Sequence, residues 1–404
     1  MFKDDFKQLT GKLWFSYIEA FLTSLVVGLA ENYFSAFALH MGLSALESGV
    51  LVSVPLIFAA VLQFLLQTKL KATPLDYFIK RSLFLQSISL VIMSLLALLN
   101  YKSFIFFSLL ILYSLYWLGH FSIQPAWNRW VADIIPLDHG QKYFSLRSRI
   151  SQVGIVIGLV FGGALLHLNI LNVAVDKLFF ILFVSCFTLK ILIIQLFKKH
   201  PVYSQPLILN ADNFKKIYKK NKYFFNRYSV FNITLYFSAP FVAGYLLAVK
   251  NLNYMNFMWV MASLFVGKIL TTYYLNFNKS QFDPHKLLLW GGIIASPLPA
   301  LWPFCSTVVM MCLVHLVSGI GWAAWEVGLS LYFFKSIDSK YKIETISLYN
   351  YLSIFTQVLG TLLAAYLFRN HLDSNFDVLF IMAGLVRLIA ILGLRTPRLA
   401  NIES

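Results

Sequence analysis

Long apolar runs alternate with short polar stretches along this chain, and each run stays apolar around its whole circumference. A helix needs roughly 17–25 such residues to cross a hydrocarbon layer of about 30 Å. The runs fall at 13–39, 49–66, 82–99, 104–127, 150–168 and 178–197, then at 228–249, 257–275, 287–304, 308–334, 346–368 and 378–394. They predict an all-α, polytopic membrane protein with twelve transmembrane helices. The longest polar stretch, 198–227, follows the sixth run. It predicts two six-helix, pseudo-symmetric bundles, 1–197 and 228–404, joined by a basic cytoplasmic linker.

Lysine and arginine set the expected orientation. With the N-terminus inside, external loops hold only Lys102, Lys177, Lys250 and Arg369, and the spans hold Lys190, Lys268 and Arg387. The other 26 of 33 basic residues fall on the inner side. Both termini are therefore expected in the cytoplasm, with the protein in an inner or plasma membrane. The first run carries two glutamates and is too long for a cleaved signal peptide, so it is expected to remain as a span.

Composition agrees with this reading. The chain is 59% hydrophobic and 12% charged, against roughly 25% charged in soluble domains. Its net charge of +16 lies between apolar runs, which argues for a bilayer partner and against nucleic acid. The linker holds Lys198, Lys199, Lys215, Lys216, Lys219, Lys220, Lys222 and Arg227 against one acid, Asp212. Its part 214–227 is either a helix on anionic headgroups or a solvated connection. Cys186, Cys305 and Cys312 sit in apolar runs, so no disulfide, metal or other cofactor is expected.

Short internal matches accompany the two-bundle reading. Ala126-Trp127-Asn128 in the fourth run has a counterpart in Ala324-Trp325-Glu326 of the tenth, 198 positions later, and His40 to Ser44 loosely matches Val249 to Asn253. Gly42-Leu43-Ser44 with Gly49-Val50-Leu51, Ala132-Asp133-Ile134-Ile135-Pro136 with Gly140 to Phe144, Gly154-x-x-x-Gly158-x-x-x-Gly162-Gly163, and Pro240-Phe241 with Tyr245-Leu246-Leu247 follow one another in order. In this the chain resembles the major facilitator superfamily over nearly its whole length. The stretch Lys69 to Asp76 departs from that family's second-to-third-helix loop, lacking its glycine and its Asp-Arg pair, and Leu159 stands where a proline is common. The fourth run has no arginine in its apolar core; Arg129 is at its inner end.

The resemblance implies a secondary transporter in which helices 1, 4, 7 and 10 line a central path. Charges in a span cost about 2.5–3.5 kcal/mol each at the bilayer centre on insertion scales, so those present need a reason. Glu19 and Glu31 in helix 1, Lys268 in helix 8 and Glu326 in helix 10 are candidates for binding substrate or a coupling ion such as a proton; fixed ion pairs are the alternative. Twelve residues set Glu19 and Glu31 about 120° apart on one continuous helix, so one cavity is not expected to see both. Lys190 and Arg387 are expected to snorkel toward phosphates.

Two stripes at helical spacing add candidates: His120, Gln124, Trp127 and Asn128 in helix 4, and His315, Trp322 and Glu326 in helix 10. Asn32, Asn232 and Tyr236 join them from helices 1 and 7; aromatic packing is the competing reading. Asp76, Asp133, Gly154, Gly158, Gly162 and Gly163 are the expected gating and packing positions. Four-residue spacing puts three of these glycines on one face, where a neighbouring backbone can approach. The expected partner is a small solute moved by alternating access by a monomer, coupled to an ion gradient. A lipid transporter of the same fold, a receptor and an enzyme are the alternatives; no nucleophile motif, phosphate loop or metal-ligand spacing accompanies either histidine.

Overall fold

In the computed structural model the apolar runs are helices, and residues 2–69, 75–99, 102–134, 137–168, 174–199, 211–277, 282–336, 342–368 and 372–394 are described. The helices are α1 (Phe2–Leu29), α2 (Phe34–His40), α3 (Ala45–Lys69), α4 (Leu75–Leu99), α5 (Ile105–Ile134), α6 (Leu137–Leu168) and α7 (Val175–Lys199). There follow α8 (Ala211–Lys220), α9 (Lys222–Tyr236), the single turn α10 (Val242–Gly244), α11 (Tyr254–Phe277), α12 (Pro284–Ala295), α13 (Val308–Ser336), α14 (Lys342–Phe368) and α15 (Leu372–Leu392). Among the described residues there is no strand. Eleven segments, from Trp14–His40 to Glu344–Phe368, are long and apolar enough to cross a membrane. The helix over the twelfth expected run, α15, is not among those eleven.

The polar stretch before the seventh run is shorter than expected, because a spanning segment already begins at Lys222. The amphipathic α8 precedes it. Ile217 of α8 is buried against Phe224 and Phe225, and Asn213 donates to Glu344 at 3.0 Å, so α8 docks on protein with its lysines outward.

Local chemistry sets several helix ends. Gly42 takes φ +95°, a conformation that costs other residues roughly 1–2 kcal/mol. Ser44 and Glu47 then form a reciprocal cap: the Ser44 N–H donates to Glu47 at 2.8 Å and the Glu47 N–H to the Ser44 hydroxyl at 3.2 Å, satisfying two orphan donors of α3.

Three spanning segments leave α geometry: Pro284–Phe304 does so after Ala295, continuing as a 3-10 stretch over Leu298–Phe304, and the first and seventh are broken at corresponding places. The first leaves α geometry after Leu29, makes a 3-10 turn over Glu31–Tyr33, and resumes as α2. Asn32 donates to the freed Val27 carbonyl at 2.9 Å. The seventh breaks after Tyr236 with a 3-10 turn over Ala239–Phe241, 208 positions later, and ends in a π-helical turn, Tyr245–Val249. Pro240 accounts for that break, since it has no N–H to continue the ladder. Freed carbonyls in a bilayer need new donors. Arg387 of α15 supplies one, donating to the Leu235 carbonyl at 2.9 Å and the Ser238 hydroxyl at 3.0 Å.

Helices before residue 200 pack as α1 on α6, α4 on α5 and α7, and α3 on α5; later ones pack as α13 on α11 and α12, and α9 on α14 and α15. The sets are joined chiefly by α6 with α11 and α3 with α14, and also where the turn Ala239–Phe241 and α10 meet α2 and α3. Polar and ring contacts across that seam lie toward the end bearing Gly42 and Lys250, the far end. Phe241 fills the notch left by Gly49, Met258 faces Gly163, Thr361 donates to Ser53 at 2.8 Å, and Tyr33 packs on Phe257 with centroids 5.9 Å apart. One hydrophobic core fills the far half from both sets of helices. Toward the opposite, near end it divides into one cluster around Phe15, Trp127, Tyr143 and Phe197 and another around Phe224, Phe231, Trp325 and Phe333.

Candidate functional site

The glycines of α6 bring helix 1 close enough for its charges to find partners. A Cβ at Gly158 would stand 2.9 Å from the Gly28 Cα and one at Gly154 2.9 Å from the Phe21 carbonyl. Gly162 faces the Tyr33 ring, while Gly163 turns to α11. Two turns before Gly154 on the same face stands Arg147. Its guanidinium bonds the Glu19 carboxylate at 2.6 Å and the Ser16 hydroxyl at 2.8 Å, and also reaches the Ser16 carbonyl. Its central carbon lies 4.0 Å from the centre of the Trp127 ring. Thr23 donates to Glu19 at 3.0 Å, and Ser16 pairs with the Tyr143 hydroxyl at 2.5 Å. Glu19 and Trp127 thus meet around an arginine that sequence reasoning passed over as an inner-end charge.

A second cluster surrounds the break in helix 1. The Tyr116 hydroxyl donates to Glu31 at 2.7 Å, and the Lys190 ammonium lies 5.6 Å from the Tyr116 ring centre. Lys190 is 1% exposed, with Glu31, then Glu19 and Cys186, as its electrostatic neighbours. His120 feels both Glu31 and Lys190, and its ring lies 5.2 Å from Trp117. Against Gly119 of the same helix, Gln86 of α4 is fully buried, and neither of its side-chain polar atoms finds a hydrogen-bond partner among the described residues. Snorkelling is overturned for both basic residues: Lys190 and Arg387 (3% exposed) end on protein groups in the interior.

A third cluster lies beyond the seam. Lys268 of α11 and Glu326 of α13 form an ion pair at 2.6 Å, with side-chain exposures of 14% and 52%. Tyr236 and Tyr349 are electrostatic neighbours of Glu326. Gly319 and Gly267 let α11 and α13 meet backbone to backbone, which sets this pair.

Other expected residues are tied into packing. His315 is buried, with Nδ1 2.8 Å from the Val260 carbonyl and its ring against Trp302. Asn232 donates to the Ser353 carbonyl and to Thr356 at 2.9 and 2.8 Å, and Tyr228 and Tyr349 join the same α9–α14 network. Trp322 packs between Phe231 and Trp325. Asp76 pairs with Lys80 one turn along its own helix at 3.0 Å. The side chains of Gln124, Asn128 and Asp133 lie outside the described residues.

Arg387 makes a first testable point. Exchange for methionine removes the donor from the Leu235 carbonyl and Ser238, where hydrogen bonds to a charged group are each worth about 1.5–3 kcal/mol. Thermal unfolding in detergent should register a loss of that order, and an unchanged midpoint would show that the break does not depend on this residue.

No family model matches the chain, and no curated protein matches it. Solved structures do. A bacterial homologue of the iron transporter ferroportin, in an inward-facing state, aligns with TM-score 0.68 at 15% identity, covering 96% of this chain and 98% of that one. A peptide transporter POT variant in complex with sulfate aligns at 0.69 and 13% identity over 95% and 93%. A bacterial homologue of the human lysosomal transporter Spinster aligns at 0.60 and 14% over 96% and 94%. The chain is a multi-pass α-helical membrane protein with the fold of transporters of the major facilitator type.

Proposed function

We propose that this chain is a secondary transporter that moves a small solute by alternating access, coupled to an ion gradient. In this reading twelve spans form two six-helix halves, 1–197 and 228–404, and the monomer sits in a cytoplasmic membrane with both termini inside. The observation that carries it is the Lys268–Glu326 pair. A carboxylate with half its surface exposed, well inside a spanning helix, faces a water-filled cavity, because hydrocarbon exposure is too costly. In this reading that cavity runs between the halves and opens to the cytoplasm, which the two separate near-end cores support.

Repetition between the halves supports rocking of one against the other. Phe179, Phe183 and Lys190 of α7 recur 197 positions later as Phe376, Phe380 and Arg387 of α15. His40 bonds Asp176 at 2.6 Å near the far end of one half, and Tyr245 bonds Asp377 at 2.8 Å in the other. Glu31, Asn32, His120, Tyr236, Lys268 and Glu326 are assigned to the central path. Asp76, Asp133 and the α6 glycines are assigned to gating, the glycines as the seam on which helix 1 is carried.

The test begins with a thermal-stability screen of small solutes, followed by flux of the hits into proteoliposomes under an ion gradient. Glu326→Gln and Lys268→Ala should each weaken a hit at least about tenfold, the loss of one charge-assisted contact. Unchanged binding in both, and in Glu31→Gln, sinks the site assignment. Exchange of labelled lipid without solute flux would replace the solute by an amphiphile.

A further inference from the structure

The helix α8 is too short to stand alone: it has 10 residues, and isolated helices below about 12–15 residues are marginal in water. Protein contacts hold its inner face. Ile217 is fully buried against Phe224 and Phe225 of α9, the Phe214 ring meets Tyr351 of α14 edge-on with centroids 6.5 Å apart, and Asn213 donates to Glu344. At its margin Tyr218 stacks on Phe225 and donates to Asn226 at 2.7 Å. These contacts fix the rotation of α8 about its axis, and with it the residues turned outward.

Lys215 and Lys219 stand about 200° from Ile217 around the helix and Lys216 about 100°, and all three are exposed. Three- and four-residue steps place Lys219 beside each of the other two, where like charges repel. None of the three makes an ion pair among the described residues. The depth of this face is fixed as well. Glu344 and Tyr351, which α8 touches, lie at the start of the spanning segment Glu344–Phe368, and another spanning segment begins at Lys222, two residues after α8 ends. On α9, Tyr223 and Val230 share one face at a seven-residue step and are 70% and 52% exposed. An apolar outer stripe headed by a tyrosine is the pattern of a lipid-facing surface at headgroup level, and the Lys222 ammonium lies 5.3 Å from that tyrosine's ring centre.

We infer that the outward face of α8, Lys215, Lys216 and Lys219 flanked by Tyr218 and Tyr223, is a docking surface for the headgroups of anionic phospholipids. A headgroup layer supplies negative charge at this depth and spreads it over an area, which suits three compact charges on flexible stems. Each lysine near such a surface strengthens association about fivefold. The lipid relieves the repulsion that the protein leaves unanswered on this face, and it presses α8 onto α9 and α14. The docking needs neither solute nor ion gradient, so it stands or falls apart from the transport reading.

The experiment is hydrogen–deuterium exchange of the full chain in nanodiscs, either of phosphatidylcholine alone or of an even mixture with phosphatidylglycerol. The amides of α8 should exchange at least about tenfold more slowly in the anionic discs, and the difference should vanish at about 1 M salt, where the screening length falls to about 3 Å. The triple variant Lys215→Gln, Lys216→Gln, Lys219→Gln should exchange alike in both discs, and no faster than the parent in phosphatidylcholine, because Ile217 still docks. Lys215→Arg, Lys216→Arg, Lys219→Arg should keep the difference. Parent amides indifferent to lipid charge, a difference that survives the salt, or a glutamine variant that responds as the parent does overturns the inference. So does equal protection in phosphatidylcholine discs by soluble glycerol phosphate, which would mark a free-anion site, or by a short DNA duplex, which would mark a soluble polyanion as the partner.

Discussion

Replacing Arg147 by alanine should destabilise the protein by about 3–5 kcal/mol, the cost of leaving a buried charge without its partner. Glu19 is 6% exposed and accepts the guanidinium at 2.6 Å. Removing the arginine also strips the Ser16 carbonyl and hydroxyl of a donor and the Trp127 ring of its cation. The measurement is thermal or denaturant unfolding in detergent, read as a double-mutant cycle. Glu19→Gln alone leaves Arg147 short of its charge partner, whereas the Arg147→Ala, Glu19→Gln double variant leaves no unpaired charge and should recover much of the loss. Additive effects, with no recovery, would mean that the pair contributes nothing as a pair.

Gly158→Val should have an effect as large, through geometry alone. A Cβ there meets the Leu25 carbonyl, stands 2.9 Å from the Gly28 Cα and 3.0 Å from the Leu29 backbone nitrogen. Backbone cannot rotate away as a side chain can, so α1 and α6 must separate. Overpacking costs about 1–3 kcal/mol where side chains give way, and more is expected where none can. Separation also moves Glu19 from Arg147, so the unfolding midpoint should fall and the yield of monodisperse protein with it. Gly42→Ala is the control: a Cβ there meets nothing within 4 Å, and its cost is confined to the positive φ, roughly 1–2 kcal/mol. A Gly158→Val protein as stable as the parent would show that the seam is loose.

Much of this arrangement was legible before any coordinates. The glycine spacing announced a close helix contact, and Arg147, two turns from Gly154, stood on that same face for any reader who extended it. Tyr116 likewise lies one turn from His120 on the expected helix 4 stripe. The break in the seventh segment has a local sign in Pro240. That in the first has none: Ala30-Glu31-Asn32-Tyr33 contains neither proline nor glycine. Its 3-10 turn is held by Asn32 on Val27, by Tyr116 on Glu31 and by Tyr33 on the Leu159 carbonyl at 2.8 Å, and two of those three contacts come from or reach other helices. The assumption of a continuous helix therefore misplaced Glu31. His315 reads as part of the Glu326 stripe by spacing, yet its hydrogen bond to Val260 draws it into the α11 contact instead.

The sequence by itself determined where the chain runs through apolar surroundings and where its basic loops lie, because hydrocarbon penalises every charge and every open backbone group locally, residue by residue. Only the tertiary structure decided which intramembrane charges meet. Glu19 had several basic residues available, and the choice of Arg147 follows from how closely two glycine-faced helices approach, a property of the packed pair that neither helix contains alone.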